Sequence, residues 1–356
     1  MVRLKRWISG LVCCVLFVLL FSAPAFSDCR GCCSHHGGVV CEGGVTRCAD
    51  GTPLSGKCRA KGCSKCLGGT GLSGSGETPA SVSEAKSLSI ANFNIQVFGK
   101  SKAGKKEVMG TLAQIIRRFD VVAIEEIRDK SGTAIKKLEA RVDALGDDYS
   151  LVVGPRLGRT SSKEQYAFIY RSDRVVCEET YTFGDSADRF HREPMVGLFR
   201  DKLSGLRFVL IAIHTDPDEA TEEIYGLADV AEDVKNHFPG ESHVVILGDL
   251  NADCSYYDEE DSGVPLRRSA YSWLITNAMD TNLAKSDCAY DRIIVSQEMR
   301  SHFTGDAGVY RFDEVFGLNR KEAKAVSDHY PVYATFSAFA SDGVASLPAS
   351  PGVGGS

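Results

Sequence analysis

Short hydrophobic runs alternate with helical patterns over most of the chain. Runs rich in Val, Ile, Leu and Phe, which are typical of strands, occur at 88–95, 120–127, 149–154, 165–171, 206–213, 243–248, 291–295 and 332–336. Apolar residues recur at helical spacing from Val108 to Phe119 and from Ile224 to Val234, which predicts two helices. Strands with interspersed helices predict an α/β domain of stacked sheets covered by helices, within residues 88–337.

The two ends of the chain differ in composition from this domain. Arg3, Lys5 and Arg6 precede the apolar stretch 10–21, and small residues follow at 23–25, which predicts an export signal over residues 1–27. A membrane anchor is the alternative, but the apolar stretch is short for a span. We therefore expect a secreted or periplasmic protein with no stable membrane span after cleavage. Residues 67–87 are predicted to be a flexible linker and residues 338–356 a disordered tail.

Residues 28–66 form a small module rich in cysteine. Its eight cysteines are Cys29, Cys32, Cys33, Cys41, Cys48, Cys58, Cys63 and Cys66. Hydrophobic periodicity is absent, so we expect cross-links to hold the module together. Four disulfides of undetermined pairing suit an oxidising compartment, and zinc is the disfavoured alternative. The module has six basic and three acidic residues, which would suit a polyanion or the cell surface, although a solvated face is the simpler explanation.

The net charge limits how the protein could handle a polyanion. The whole chain has a net charge of −6, and removal of residues 1–27 takes away three positive charges and no negative ones, which leaves −9. An acidic protein does not suit a passive coat for DNA, because affinity for the phosphate backbone comes from Lys and Arg. Contact with DNA would depend on local basic residues and bound metal ions, as in an enzyme that contacts DNA briefly.

Polar residues stand at the ends of six predicted strands. They are Asn94, Glu125-Glu126, His214, Asp249 with Asn251, Asp291, and Asp328-His329. Any one alone would be a turn or cap, but together they would line one pocket if the strand ends share an edge. Carboxylates at close range need a cation, and oxygen ligands without cysteine suit Mg²⁺, Mn²⁺ or Ca²⁺. Two histidines beside such an ion could transfer the protons of phosphodiester hydrolysis.

Seven short motifs are spread over residues 88–337. They are IANFNI at 90–95, IEEIRD at 124–129, LGR at 157–159, REP at 192–194, GDLNADCSY at 248–256, CAYDR at 288–292 and SDHYP at 327–331. Together they resemble the deoxyribonuclease I family of the endonuclease/exonuclease/phosphatase superfamily. The resemblance implies a four-layer sandwich of two packed mixed β-sheets flanked by helices. It also implies a metal-dependent endonuclease that cuts DNA with little sequence specificity and leaves 5′-phosphate and 3′-hydroxyl ends. A same-fold phosphodiesterase for a lipid or small phosphoester is the alternative.

The resemblance further implies roles for single residues. The ligands of Mg²⁺ or Mn²⁺ would be Glu126, Asn94, Asp249, Asn251 and Asp328. Two acid–base dyads would be His214 with Glu164 and His329 with Asp291, assisted by Asp249 and Asn251, and which histidine is the base stays open. The residues that would face DNA are Arg128, Arg159, Arg192 and Tyr256.

Disulfide and calcium sites are also implied by the resemblance. Cys254 and Cys288 match the larger disulfide of the family, and Cys177 is expected to be a buried free thiol. A structural Ca²⁺ site would use Asp188, the carbonyl of Phe190 and Glu193. A second calcium site is matched only in part, by Asp280, Asn282 and Ser286, because Ala284 lacks a side-chain oxygen.

Two positions depart from the family pattern, and both lie near the expected DNA surface. Gln96 replaces an arginine, and Ser162 replaces a tyrosine that packs into the minor groove. Four lysines (Lys100, Lys102, Lys105 and Lys106) crowd the segment after Asn94. We expect this basic loop to contact DNA, with a solvated loop as the alternative.

Overall fold

The computed structural model describes residues 87–337, together with the backbone of two short antiparallel strands, β1 (Val39–Glu42) and β2 (Val45–Cys48). The export signal, the bonding of the cysteines at 29–66, the linker up to residue 86 and the tail from 338 lie outside the residues described in full. Among the described residues, no helix has the length and apolar character that crossing a membrane requires.

Twelve further strands and seven α-helices make up residues 87–337 in the part of the chain described. The strands are β3 (Ser87–Phe98), β4 (Val121–Ile127), β5 (Tyr149–Val153), β6 (Gln165–Arg171), β7 (Val175–Thr182), β8 (Met195–Asp201), β9 (Arg207–Ala212), β10 (Val244–Asp249), β11 (Tyr271–Trp273), β12 (Asp291–Ser296), β13 (Phe303–Val309) and β14 (Val332–Ser337). The helices are α1 (Lys100–Ala103), α2 (Lys106–Ile116), α3 (Thr133–Asp143), α4 (Ala220–His237), α5 (Gln297–Arg300), α6 (Phe312–Phe316) and α7 (Arg320–Val326).

The strands form two six-stranded mixed sheets. One has the order β13-β14-β3-β4-β6-β5, and the other has the order β11-β12-β10-β9-β8-β7. Each contains one parallel pair, β3 with β4 and β9 with β10, and the other neighbours are antiparallel. Both parallel pairs need a crossover connection, and α2 and α4 provide it.

Three hydrophobic clusters separate four layers. The central cluster lies between the sheets and includes Phe168, Phe199 and Phe208, all fully buried. A second cluster packs α2 and α3 on the first sheet, and a third packs α4 on the second sheet. The fold is therefore a helix–sheet–sheet–helix sandwich, which confirms the predicted four layers.

All eight predicted strands are present, and both predicted helices are present with bounds shifted by a few residues. The second helix begins at Ala220, directly after Glu219. Four strands (β7, β8, β11 and β13) and five helices (α1, α3, α5, α6 and α7) were not predicted. Strands β7 and β13 are half exposed along their length, so they lack the continuous apolar run that identifies a buried strand.

Candidate active site

The polar strand ends of both sheets meet at one edge of the sandwich. Asn94 lies in β3 and Asp249 ends β10 of the other sheet, and Asn94 Nδ2 donates to Asp249 Oδ2 at 3.0 Å. Asp249 is also paired in register with Asp291, the first residue of the neighbouring β12. Because β14 is antiparallel to β3, the residues just before β14, including His329, reach the same edge. The edge therefore collects side chains from sequence positions more than 200 residues apart.

One histidine–carboxylate pair is formed by His214 and Glu164. His214 Nδ1 lies 2.9 Å from Glu164 Oε2, and His214 Nε2 lies 3.6 Å from Asp249 Oδ2. Burial alone would raise the pKa of Glu164, but the hydrogen bond to His214 and nearby positive charges lower it to about 2. Glu164 is therefore ionised and holds the imidazole with Nε2 toward the pocket.

The second pair is formed by His329 and Asp291. His329 Nδ1 lies 2.8 Å from Asp291 Oδ2, and His329 Nε2 lies 3.5 Å from Asp249 Oδ2. Burial opposes protonation of His329, but the carboxylates of Asp291 and Asp249 outweigh it and raise the pKa of the imidazole well above its usual value. Both imidazoles thus present Nε2 to the same oxygen of Asp249, where two proton-transfer groups can act on one bound phosphate.

Oxygen donors suited to a hard cation lie beside the two pairs. Glu126 Oε2 accepts from the Val97 N–H at 2.8 Å, and Asp328 Oδ2 accepts from Gln96 Nε2 at 2.5 Å. Among the described residues, Asp328 Oδ1 is buried and has no hydrogen-bond partner. A buried carboxylate oxygen without a donor is costly, and a divalent ion would satisfy it. The donors therefore fit Mg²⁺ or Mn²⁺.

A second combination of residues could also hold a metal ion. Ligand atoms of Asp249, Asp291 and His329 lie within 4.8 Å of one another. The imidazole of His329 is already bound to Asp291 through Nδ1, and a hard cation prefers oxygen ligands. We therefore favour the oxygen set of Glu126, Asn94 and Asp328 as the centre of the metal site.

Asn251 was predicted to be a metal ligand, and this role stays a prediction, because the contacts of Asn251 in the structure are made by its two nitrogen atoms. Its Nδ2 donates to the Thr215 carbonyl at 3.1 Å, and its N–H donates to Asp249 Oδ1 at 3.2 Å. The residue has a φ of 46°, in the left-handed region that asparagine tolerates better than most residues. Asn251 therefore connects Asp249 to the segment that follows His214.

The four residues expected to face DNA have unequal exposure. Arg128 forms ion pairs with Glu126 at 3.0 Å and Glu164 at 2.8 Å, and it keeps a third of its side chain exposed. Arg159 pairs with Asp188 and Glu219 at the surface. Tyr256 is exposed, and its ring centroid lies 5.6 Å from that of Tyr290.

Arg192 was predicted to face DNA, but its side chain lies inside the protein. Its side chain is 7% exposed. Its Nε donates to the His214 carbonyl and its second terminal nitrogen donates to the Thr215 carbonyl, both at 2.8 Å. Tyr166 Oη, in turn, accepts from the His214 N–H at 2.9 Å. Arg192 and Tyr166 thus fix the backbone of His214, because they satisfy its polar groups from inside the protein.

The segment proposed for calcium is partly occupied by an ion pair. Asp188 is exposed, and its carboxylate lies 3.1 Å from Nε of Arg159. Phe190 is buried with its N–H bound to Asp185 Oδ2, and Glu193 is half buried. A calcium ion here would have to displace Arg159 from Asp188, so the calcium site stays a prediction.

Cys254 and Cys288 form the predicted disulfide, with Cα atoms 5.9 Å apart. Among the described residues, Cys177 is a free thiol, as expected. It is half buried rather than buried, because β7 is an edge strand.

Lys102 was expected to lie in a basic loop that contacts DNA or is solvated. In the structure its side chain is buried, and its ammonium group binds three backbone carbonyls.

Glu125 was placed among the strand-end residues that would line the pocket, but it was given no role of its own. It is fully buried, and both of its carboxylate oxygens lie within 3.2 Å of the Asp249 N–H. Burial raises the pKa of Glu125 well above its usual value, with Asp249 and Asp291 adding to the effect. Its place next to Glu126 at the end of an apolar run marks it as a strand-end residue, but the sequence does not show that it accepts the Asp249 N–H from the other sheet.

Comparison with known proteins identifies the family to which this geometry belongs. The pattern of the endonuclease/exonuclease/phosphatase family matches residues 91–329. Deoxyribonuclease-1 of Gallus gallus is 38% identical over 265 residues, which cover 71% of this chain and 94% of that protein. The chain belongs to the deoxyribonuclease I family. Deoxyribonuclease-1 of Homo sapiens is 37% identical and covers 70% of this chain and 92% of its own length. The family predicted from the seven motifs is thus confirmed.

Solved structures with low sequence identity share the fold. A humanized D. rerio TDP2 with 14 mutations has a TM-score of 0.52 at 16% identity and covers 70% of this chain and 98% of that chain. D. rerio TDP2 complexed with single strand DNA product has a TM-score of 0.50 at 18% identity, with the same coverage. These likenesses confirm the sandwich architecture of this deoxyribonuclease I family member.

Proposed function

We propose that this protein is an exported endonuclease that hydrolyses DNA phosphodiester bonds with little sequence specificity, in a reaction that depends on Mg²⁺ or Mn²⁺. The observation that carries the proposal is the position of the two histidine–carboxylate pairs. Each pair joins a residue at the end of one sheet to a residue at the end of the other, and both point Nε2 at one oxygen of Asp249. Family membership supports DNA as the substrate and a nuclease as the enzyme class. The catalytic domain would comprise residues 88–337, between the linker and the tail.

The two dyads would divide the proton transfers of the reaction. One imidazole removes a proton from the attacking water, and the other gives a proton to the leaving 3′ oxygen. Glu164 and Asp291 hold the Nδ1 side of each ring, so that Nε2 exchanges the proton with the substrate. Water attack with departure of the 3′ oxygen gives 5′-phosphate and 3′-hydroxyl ends. The raised pKa of His329 suits the acid, which must begin protonated.

The metal site would consist of Glu126, Asn94 and Asp328, with Asp249 between it and the dyads. The ion, when bound, neutralises charge on the phosphate oxygens in the transition state. Arg128 lies 3.0 Å from Glu126 and would add a positive charge at the same place. Arg159 and Tyr256 would hold the DNA backbone from the rim, and such contacts position the duplex without reading its sequence.

Nicking of supercoiled plasmid tests the function directly. The full chain is incubated with Mg²⁺, Mn²⁺ or Ca²⁺, each with and without chelator, and we expect chelator to abolish nicking. His214→Ala and His329→Ala should each lower the rate by about 10²–10⁴-fold. His237→Ala is the matched control, because His237 is an exposed histidine at the C-terminal end of α4, where it binds Glu179. Undiminished nicking by either dyad variant would refute the assignment.

Two further measurements separate this function from its alternative. Fragments that are ligated without prior phosphorylation would carry 5′-phosphate and 3′-hydroxyl ends, as we expect. Hydrolysis of sphingomyelin or inositol phosphates by protein that leaves DNA intact would favour the phosphoesterase alternative. Export is tested by N-terminal sequencing of protein recovered from the medium or periplasm, with cleavage expected after residue 27.

A further inference from the structure

Lys102 lies inside the protein, next to the proposed metal site. Its side chain is buried, and Nζ donates to the carbonyls of Ile95 at 3.0 Å, Gln96 at 2.6 Å and Val326 at 2.8 Å. An ammonium group has three N–H donors, and these three carbonyls use all of them. A lysine bound in this way has no donor left for a DNA phosphate.

Two of these carbonyls belong to an irregular part of β3. Regular pairing with β4 ends at Asn94 with Glu125 and resumes at Phe98 with Ile127, so residues 95–97 oppose Glu126 alone. Gln96, Val97 and Glu126 have φ values of 21°, 52° and 55°. Positive φ is rare for residues with a side chain and rarest for a β-branched one. Such a bulge persists only where neighbouring groups hold it.

The same bulge holds all three oxygen residues of the proposed metal site. The Gln96 N–H donates to Asn94 Oδ1 at 2.9 Å, the Val97 N–H donates to Glu126 Oε2 at 2.8 Å, and Gln96 Nε2 donates to Asp328 Oδ2. A shift of the backbone at 95–97 would therefore move a donor away from each of the three carboxylate or amide groups.

The third carbonyl belongs to another part of the site. Val326 ends α7 and is followed by Ser327, whose hydroxyl donates to the Asn94 carbonyl at 2.7 Å, and by Asp328. Lys102 and Ser327 therefore join the bulge to the segment that carries Asp328 and His329. Without the ammonium group, three carbonyls would lose their shared donor in a buried place, and the two segments would be free to separate.

We propose that Lys102 is a positioning residue that locks residues 95–97 to the end of α7 and so fixes Asn94, Glu126 and Asp328 for a divalent cation. The inference rests on the proposed metal-dependent function. It assigns the lysine to the geometry of the metal site rather than to the DNA surface. Removal of its donors is therefore expected to weaken metal binding and turnover, and to leave DNA affinity unchanged.

Mn²⁺ binding to the full chain, without DNA, tests this by calorimetry and by the electron paramagnetic resonance of free Mn²⁺. Lys102→Met keeps the length of the side chain and removes the three donors. We expect Mn²⁺ affinity to fall by about tenfold or more, and kcat for plasmid nicking to fall with KM unchanged. Lys137→Met, on the exposed face of α3, is the matched control and should change neither quantity.

A third variant distinguishes positioning from contact with DNA. Lys100 is exposed in the same segment, so Lys100→Met should raise KM and reduce its salt dependence, with Mn²⁺ affinity unchanged. If Lys102→Met shows that pattern instead, or binds Mn²⁺ as the unaltered protein does, the proposal is overturned. If circular dichroism shows that Lys102→Met does not fold, the same readouts are taken on Lys102→Gln, which keeps an N–H donor. Intermediate Mn²⁺ affinity supports the proposal, and unaltered affinity overturns it.

The outcome is separable from the proposed function as a whole. Unaltered protein that neither binds Mn²⁺ nor nicks DNA would contradict the metal-dependent nuclease, whatever Lys102 does. Unaltered protein that does both, together with a folded Lys102 variant that does both equally well, would contradict only the positioning role.

Discussion

Replacement of Glu164 by glutamine tests the first dyad through stability as well as activity. The substitution keeps the shape of the side chain and removes its negative charge. In the unaltered protein, the Glu164 carboxylate accepts from His214 at 2.9 Å and from Arg128 at 2.8 Å, and the side chain is 5% exposed. A neutral amide cannot stabilise a protonated imidazole or pair with the guanidinium. Glu164→Gln therefore imitates the protonated glutamate at every pH.

The size of the effect follows from the pKa of Glu164, which is lowered from 4.5 to about 2. Burial opposes this shift, but the hydrogen bond to His214 and the positive charges outweigh it. Such a shift corresponds to about 3 kcal/mol of folding free energy from the ionised form at pH 7. Because the folded pKa is the lower one, this stability is present above pH 4.5 and is lost as the pH falls toward about 2. About 2 kcal/mol should remain at pH 3.5.

Urea unfolding of both proteins at several pH values measures this difference. Glu164→Gln should be less stable than the unaltered protein by about 3 kcal/mol at pH 7, and the gap should narrow in acid. Its nicking rate should fall by about 10²–10⁴-fold, since His214 loses the partner that orients it. A difference in stability below about 1 kcal/mol at pH 7, or a difference that does not change with pH, would refute the claim that ionised Glu164 stabilises the folded protein.

Three other substitutions have defined outcomes. Cys254→Ser with Cys288→Ser opens a loop with a sequence separation of 34, and urea unfolding should show a loss of about 4 kcal/mol in the chain-entropy model. Gly248→Ala would place a Cβ 1.7 Å from the Ile213 carbonyl oxygen, so thermal unfolding should show a loss of about 3 kcal/mol or more, or no folded protein. Arg192→Met leaves two buried carbonyls without their donor, and steady-state kinetics should show a lower kcat at constant KM if the residue positions the dyad, but a higher KM if it contacts DNA.

The strands and helices that could be predicted are those whose own sequence shows a hydrophobic pattern. The eight predicted strands have apolar runs because most of them are buried from both sides in a four-layer sandwich. In contrast, β8 is interrupted by Gly197. A Cβ at this position would lie 2.6 Å from the ring of Phe199 on the same strand and 3.1 Å from the ring of Phe168 on the other sheet, so packing between the sheets leaves no room for a side chain here. Helix α3 buries only four of its eleven residues, which gives a weak pattern.

Part of the candidate site could be predicted, because several of its residues stand at the ends of strands that the sequence predicts. His214, Asp249, Asp291 and His329 stand where apolar runs stop or begin, and the structure brings all four to one edge. The pattern does not show which partner a side chain has on another sheet. The pairing of His214 with Glu164 came from the resemblance, and the structure places the two side chains in contact.

Two residues that were predicted to contact DNA are buried, and the two predictions failed for the same physical reason. Arg192 and Lys102 are long basic side chains, and a basic residue beside a phosphate-handling motif is easily assigned to DNA. Yet both donate to backbone carbonyls of segments that carry the proposed metal ligands and dyad residues. Active-site backbone that leaves regular pairing, as at residues 95–97, has carbonyls that no strand or helix satisfies, and a buried cation with several donors satisfies them at once. A basic residue close in sequence to an irregular strand end should therefore be tested as a backbone clamp before it is counted as a DNA contact.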